Sequence, residues 1–98
     1  MSKSWRLKRD KELLGTLTCQ SSDQPWIVCQ FQAELAFRQY SDLFEEELDI
    51  LNRDEMHLWE QAYQKIIDLG LTLEAVDAVE SITDFLLHID GEEAWFRY

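Results

Sequence analysis

The period of hydrophobicity changes twice along this chain, and nothing else in it constrains the fold as strongly. Near both ends apolar and polar residues alternate, which is the period of a half-buried strand. Trp5 and Leu7 oppose Arg6 and Lys8 at the start, and Phe85, Leu87 and Ile89 oppose Leu86 and His88 near the end. Between them Phe37, Tyr40, Phe44, Leu48 and Leu51 recur at steps of three and four, the stripe of an amphipathic helix.

Punctuation divides these stretches into elements. A strand from Trp5 to Arg9 turns at Asp10-Lys11-Glu12 into a second strand, Leu13 to Cys19, where Gly15 marks a bulge or a close backbone approach. Gln20 to Pro25 reads as a loop and Trp26 to Gln32 as a third strand. The first helix breaks near Asn52-Arg53-Asp54-Glu55, where Asn52 and Glu55 have the spacing of a capping box. The second helix carries Met56, Trp59, Ala62, Tyr63 and Ile66 on one stripe and stops at Gly70. Leu71 and Leu73 restart the strand period, and Val76 to Ser81 reads as a plain connection. Thr83 to Ile89 and Glu93 to Tyr98 form a hairpin about Asp90-Gly91. The last strand could stand at a sheet edge and pair across a dimer; the pattern leaves the oligomeric state open.

These elements predict one α+β domain over residues 1–98, with no linker dividing it. Its centre is a mainly antiparallel sheet of five to six strands, in the order β-β-β-α-α-β-β-β. An antiparallel helix pair covers one face. At 98 residues the chain has the ordinary length of one domain.

Charge narrows the partners. The net charge is −11, which repels nucleic acid and anionic membranes. It is unevenly spread. Residues 1–12 hold five bases (Lys3, Arg6, Lys8, Arg9, Lys11) against Asp10 and Glu12, a net of +3, which leaves −14 on the rest. The basic start has no apolar run like that of a signal peptide, and no stretch is long enough to span a bilayer. Cytosol is the expected location. Cys19 and Cys29 are then expected to be free, buried thiols, with a cross-strand disulfide as the alternative.

Several segments carry a resemblance: Trp5-Arg6-Leu7, Gly15-Thr16-Leu17, Asp23-Gln24-Pro25-Trp26, Phe31, Phe37, Trp59, Leu69-Gly70-Leu71-Thr72-Leu73, and the tail from Phe85 to Arg97. The chain resembles a group of small uncharacterised bacterial proteins of about this length, and the tail is the most specific part. It departs from them at Lys11, where they have Gly, and at Gln32-Ala33-Glu34, where they have Pro. The resemblance implies a stand-alone cytosolic α+β domain and brings no activity.

Chemistry-bearing patterns are sparse. His57 and His88 stand alone, His57 as a surface helix residue and His88 on an exposed or semi-exposed strand face. No histidine or cysteine spacing fits a metal site. Glu45-Glu46-Glu47 would hold divalent cations only weakly. Gly15, Gly70 and Gly91 are too far apart for a phosphate loop, and no nucleophile motif is visible. Catalytic, cofactor and metal sites are therefore not expected. Trp26 and Trp59 read as core.

Two surfaces remain. Between Asp42 and Glu60 lie eight acids and one base, Arg53. Asp42, Glu45, Glu46 and Asp49 form the outer face of the first helix, a candidate dock for a basic protein. Trp95 and Arg97, side by side on the last strand, have hot-spot chemistry. The expected function is a small acidic protein-binding or regulatory module. The alternatives are a small-molecule binder or minor enzyme with a pocket between helices and sheet, and a single-strand nucleic-acid binder using the basic first strand, which reads otherwise as the charged face of an edge strand.

Overall fold

The computed structural model describes residues 3–23 and 25–98. Met1, Ser2 and Gln24, the last of these in the expected loop, lie outside the described residues. Over the described residues the fold is α+β, with two α-helices and one antiparallel sheet of seven strands. The strands are β1 (Lys3–Arg9), β2 (Glu12–Asp23), β3 (Trp26–Ala33), β4 (Leu71–Ala75), β5 (Ser81–Ile82), β6 (Leu86–Asp90) and β7 (Glu93–Arg97). Their order across the sheet is β5-β4-β1-β2-β3-β7-β6. Helices α1 (Ser41–Asn52) and α2 (Met56–Ile67) pack on each other, and α1 also packs on β6.

Alternation puts one residue parity of every long strand on the inner face. Trp5 faces Leu17 on one side and Ala75 on the other; Leu17 faces Phe31, Cys29 faces Ala94, and Phe96 faces Leu87. All of these are buried. The Trp5 and Phe96 rings meet edge to face at 6.1 Å, although β2 and β3 separate their strands in the sheet. Only a sheet curled on itself brings such strands together. Phe31, Phe37 and Phe44 then continue the core toward the helices, with ring centroids 5.0 and 5.6 Å apart.

Several boundaries differ from the sequence reading, each for a local reason. The count exceeds five to six because the expected connection Val76 to Ser81 leads into β5, which pairs Ile82 with Leu73 and Ser81 with Glu74. Two residues are too few to show alternation. The expected loop at Gln20 to Pro25 is largely strand: β2 runs to Asp23, opposite Trp26, past a register shift between Cys19 and Ser21. The helical stripe is interrupted. Leu35–Gln39 is a 3-10 turn, and α1 begins only at Ser41. Asn52 is the last residue of α1 rather than the cap of α2, whose N-cap is Glu55, with no side-chain capping bond. Helix α2 ends at Ile67, and Gly70, at φ +70°, turns the chain into β4. The last strand, β7, is interior, between β3 and β6, so it offers no edge for a dimer. Likewise β1 lies between β4 and β2 and is not an edge strand.

Cys19 and Cys29 face each other across β2 and β3 and are joined as a disulfide, not held as free thiols. The register places them directly opposite, and both are buried.

Candidate functional site

The outer face of β3, β7 and β6 carries a second cluster. Register aligns Val28 with Trp95 and Trp95 with His88. The alternation placed His88 on the face away from Leu87 and Ile89, and that is where it lies, but it is buried at 4% exposure. Helix α1 packs over β6 there and brings in Glu47, which is fully buried. Trp26 and Trp95 flank the His88 ring at 5.3 and 5.5 Å, and the Tyr63 ring lies at 6.3 Å. Trp26 and Trp59 are both half-buried; Trp59 packs against the core as expected, whereas Trp26 packs on His88 outside it.

Glu47 Oε1 accepts a hydrogen bond from Trp59 Nε1 at 2.7 Å and lies 2.7 Å from His88 Nδ1. The Nδ1 contact is short without being a well-directed hydrogen bond, and Oε2 has no hydrogen-bond partner among the described residues. Two bare lone pairs would repel at that distance, so a hydrogen lies between Oε1 and Nδ1. Sequence reading missed Glu47, since it sits in a run of three glutamates. The signal was its helical phase, three residues after Phe44 on the buried side of α1.

Tyr63 joins this cluster to a groove. Its hydroxyl accepts a hydrogen bond from the Leu87 backbone N–H at 2.7 Å, which satisfies a donor on the outer edge of β6. Burial pushes the Tyr63 hydroxyl up to about 12, so it stays protonated at neutral pH. The hydroxyl proton has no acceptor among the described residues, so it remains free to donate.

The groove holds about 500 Å³ and is open on one side. Helix α2 supplies Tyr63, Ile66 and Ile67 to its lining, and Gly70 and Leu71 follow them in the chain. The segment from Thr83 to Leu86 also lines it, together with Pro25, Arg97 and Tyr98. Ile67 is 55% exposed there, an apolar side chain left to water by the fold.

The residues singled out from sequence fall in three places. Asp42, Glu45, Glu46 and Asp49 are all exposed on α1. Glu46 approaches Lys65 of α2 at 3.8 Å and Asp49 pairs with Arg53 at 3.2 Å, so two of the four are partnered within the fold. Trp95 is half-buried against His88. Arg97 is exposed and lies over the Trp26 ring at 5.4 Å, so its aromatic neighbour is Trp26 rather than Trp95. The basic first strand is largely engaged. Lys3 pairs with Glu80, Lys8 with Glu74, and Arg9 bonds the Leu69 carbonyl and the Tyr40 hydroxyl. His57 is exposed. Among the described residues no three His, Cys, Asp or Glu side chains converge as metal ligands, and no helix is long and apolar enough to cross a membrane.

No known protein family, curated protein or solved structure matches the chain.

Proposed function

We propose that this protein is a small-molecule binding module whose ligand sits in the groove between α2, β4 and the Thr83 to Leu86 segment. One observation carries the reading. An open cavity of about 500 Å³ gathers apolar side chains and a few polar ones at one place, in the size range and composition of ligand sites. Titration with octanol, followed by the amide resonances of Ile66, Ile67 and Leu71, tests it. Shifts confined to groove residues, and lost in Ile67→Asp, are the expected result. Shifts scattered over the surface, or none, would overturn it.

A second reading, docking of a basic protein on the outer face of α1, is favoured by Asp42 and Glu45. Both are exposed, and neither has a base within ion-pair distance among the described residues. Reversal of both to Lys would weaken such a complex and flatten its salt dependence. The single-strand nucleic-acid reading draws less support, because Lys3 and Lys8 pair with Glu80 and Glu74 and Arg9 is hydrogen-bonded to Leu69 and Tyr40 within the fold. The likeness to small bacterial proteins stays within the proposal and adds no activity to it. A cytosolic setting is also part of it. There the Cys19–Cys29 bond would be reduced most of the time, which differential alkylation in intact cells reads directly.

A further inference from the structure

Resting on the groove as a ligand site, we propose that its occupant is a small organic monocarboxylate with a compact apolar body. The body lies on Ile66, Ile67 and Phe85, and the carboxylate is taken by Arg97 with the Tyr63 hydroxyl as second donor.

Both donors line the groove, and both are held in advance. The Arg97 guanidinium lies over Trp26 at 5.4 Å, and no carboxylate among the described residues pairs with it. That contact holds the guanidinium beside the ring, and its N–H groups, paired with no carboxylate, can fork onto two oxygens. Tyr63 is fixed through its oxygen by Leu87 N–H, which leaves only its proton to offer. A ligand group that accepts two or more hydrogen bonds and carries negative charge matches this pair. An ammonium or a hydroxyl group does not.

Two charges oppose the carboxylate. The net charge of −11 repels any anion at long range, so binding has to come from contact. Asp84 also lines the groove, but it is exposed on the segment between β5 and β6, where water screens it. A dianion would feel both effects more strongly, which limits the ligand to one negative charge.

Calorimetric titration with octanoate, octanol and octylamine separates the parts of this proposal. Octanoate is expected to bind about tenfold tighter than octanol, the lower end of what a charge-assisted hydrogen bond gives. Octylamine is expected to bind more weakly than octanol. Arg97→Gln should erase the preference for octanoate while octanol binding persists. Asp84→Asn should tighten octanoate, and Tyr63→Phe should weaken it severalfold in protein shown to be folded by circular dichroism. Equal binding of octanoate and octanol overturns the carboxylate class and leaves the groove standing. Octylamine as the tightest ligand, lost in Asp84→Asn, also overturns the class. Failure of all three ligands overturns the groove reading itself.

Discussion

Glu47 of α1 and His88 of β6 meet 2.7 Å apart, Oε1 to Nδ1, with both side chains sealed from solvent. They come from elements far apart in sequence, so their contact fixes how the helix layer sits on the edge of the curled sheet. Trp59 Nε1 ties α2 to the same oxygen. One carboxylate oxygen therefore gathers both helices and an edge strand. That packing also positions Tyr63 and Ile66 along the groove.

Breaking this pair should be costly. Removing one partner of a buried ionisable pair leaves the other unpaired, at a cost of about 3–5 kcal/mol. Glu47→Leu strands both His88 Nδ1 and Trp59 Nε1, and His88→Leu leaves the buried Glu47 carboxylate with Trp59 Nε1 alone. The double variant removes both polar groups at similar volume, so it should regain much of the loss. A double-mutant cycle from urea unfolding measures the coupling. Additive losses would mean that the two residues act independently.

The contrast between His88 and Trp5 shows what could be read from the sequence. Alternation assigned both residues to faces, and both assignments agree with the register. Trp5 is buried because its face is the inside of the curl. His88 is buried because a helix from a distant segment covers the outer face, and periodicity within one strand carries no information about that. Glu47 was hidden for the same reason, since its carboxylate needs a partner that only tertiary packing supplies. The acidic character of α1 was legible, and so were the antiparallel sheet and the helix pair between two groups of strands. The groove was legible only as a space between helices and sheet. Its lining comes from α2, β4, the segment before β6 and the end of β7, which no local pattern links.

Stability should fall at high pH through Tyr63. Its folded value of about 12 exceeds the ordinary value of 10 because burial penalises the phenolate. Below pH 10 the group is protonated in both states, so its full contribution is present. Above it the unfolded chain ionises first, and stability is lost until the folded group titrates near 12. The loss is at most about 2–3 kcal/mol. Urea midpoints at about pH 9 and about pH 11.5 should fall further in the wild type than in Tyr63→Phe, which lacks the group. Equal falls would remove Tyr63 as the cause.

Reducing the Cys19–Cys29 bond should destabilise the fold without unmaking it. The bond closes a short loop, with a sequence separation of 10. Loop entropy puts its contribution at about 2–3 kcal/mol. The β2–β3 register is also held by pairs on both sides of the bond, such as Thr18 with Gln30 on one side and Ser21 with Val28 on the other. Unfolding in the presence of a phosphine reductant should match that of the Cys19→Ala/Cys29→Ala double variant. Both should keep the wild-type circular dichroism spectrum. Collapse of the sheet signal on reduction would give the bond a larger share than its loop length allows.

Gly15 should tolerate no side chain, and the reason lies in the core rather than in its backbone. It pairs with Leu7 on one side and Ala33 on the other. An added methyl carbon would lie 2.5 and 2.6 Å from two ring carbons of Phe31 and 2.9 Å from the Gln32 carbonyl oxygen. The ring cannot swing freely, because Phe37 packs edge-on against it at 5.0 Å and Phe44 packs on Phe37. Overpacking of this kind costs about 1–3 kcal/mol. Gly70→Ala gives the comparison. It meets no atom within 4 Å but sits at φ +70°, so its cost of about 1 kcal/mol is conformational. Pairing Gly15→Ala with Phe31→Leu should recover part of the first loss and none of the second, as read from urea unfolding. A Gly15→Ala protein as stable as the wild type would mean that the Phe31 ring yields easily and that the aromatic row beneath α1 is loosely packed.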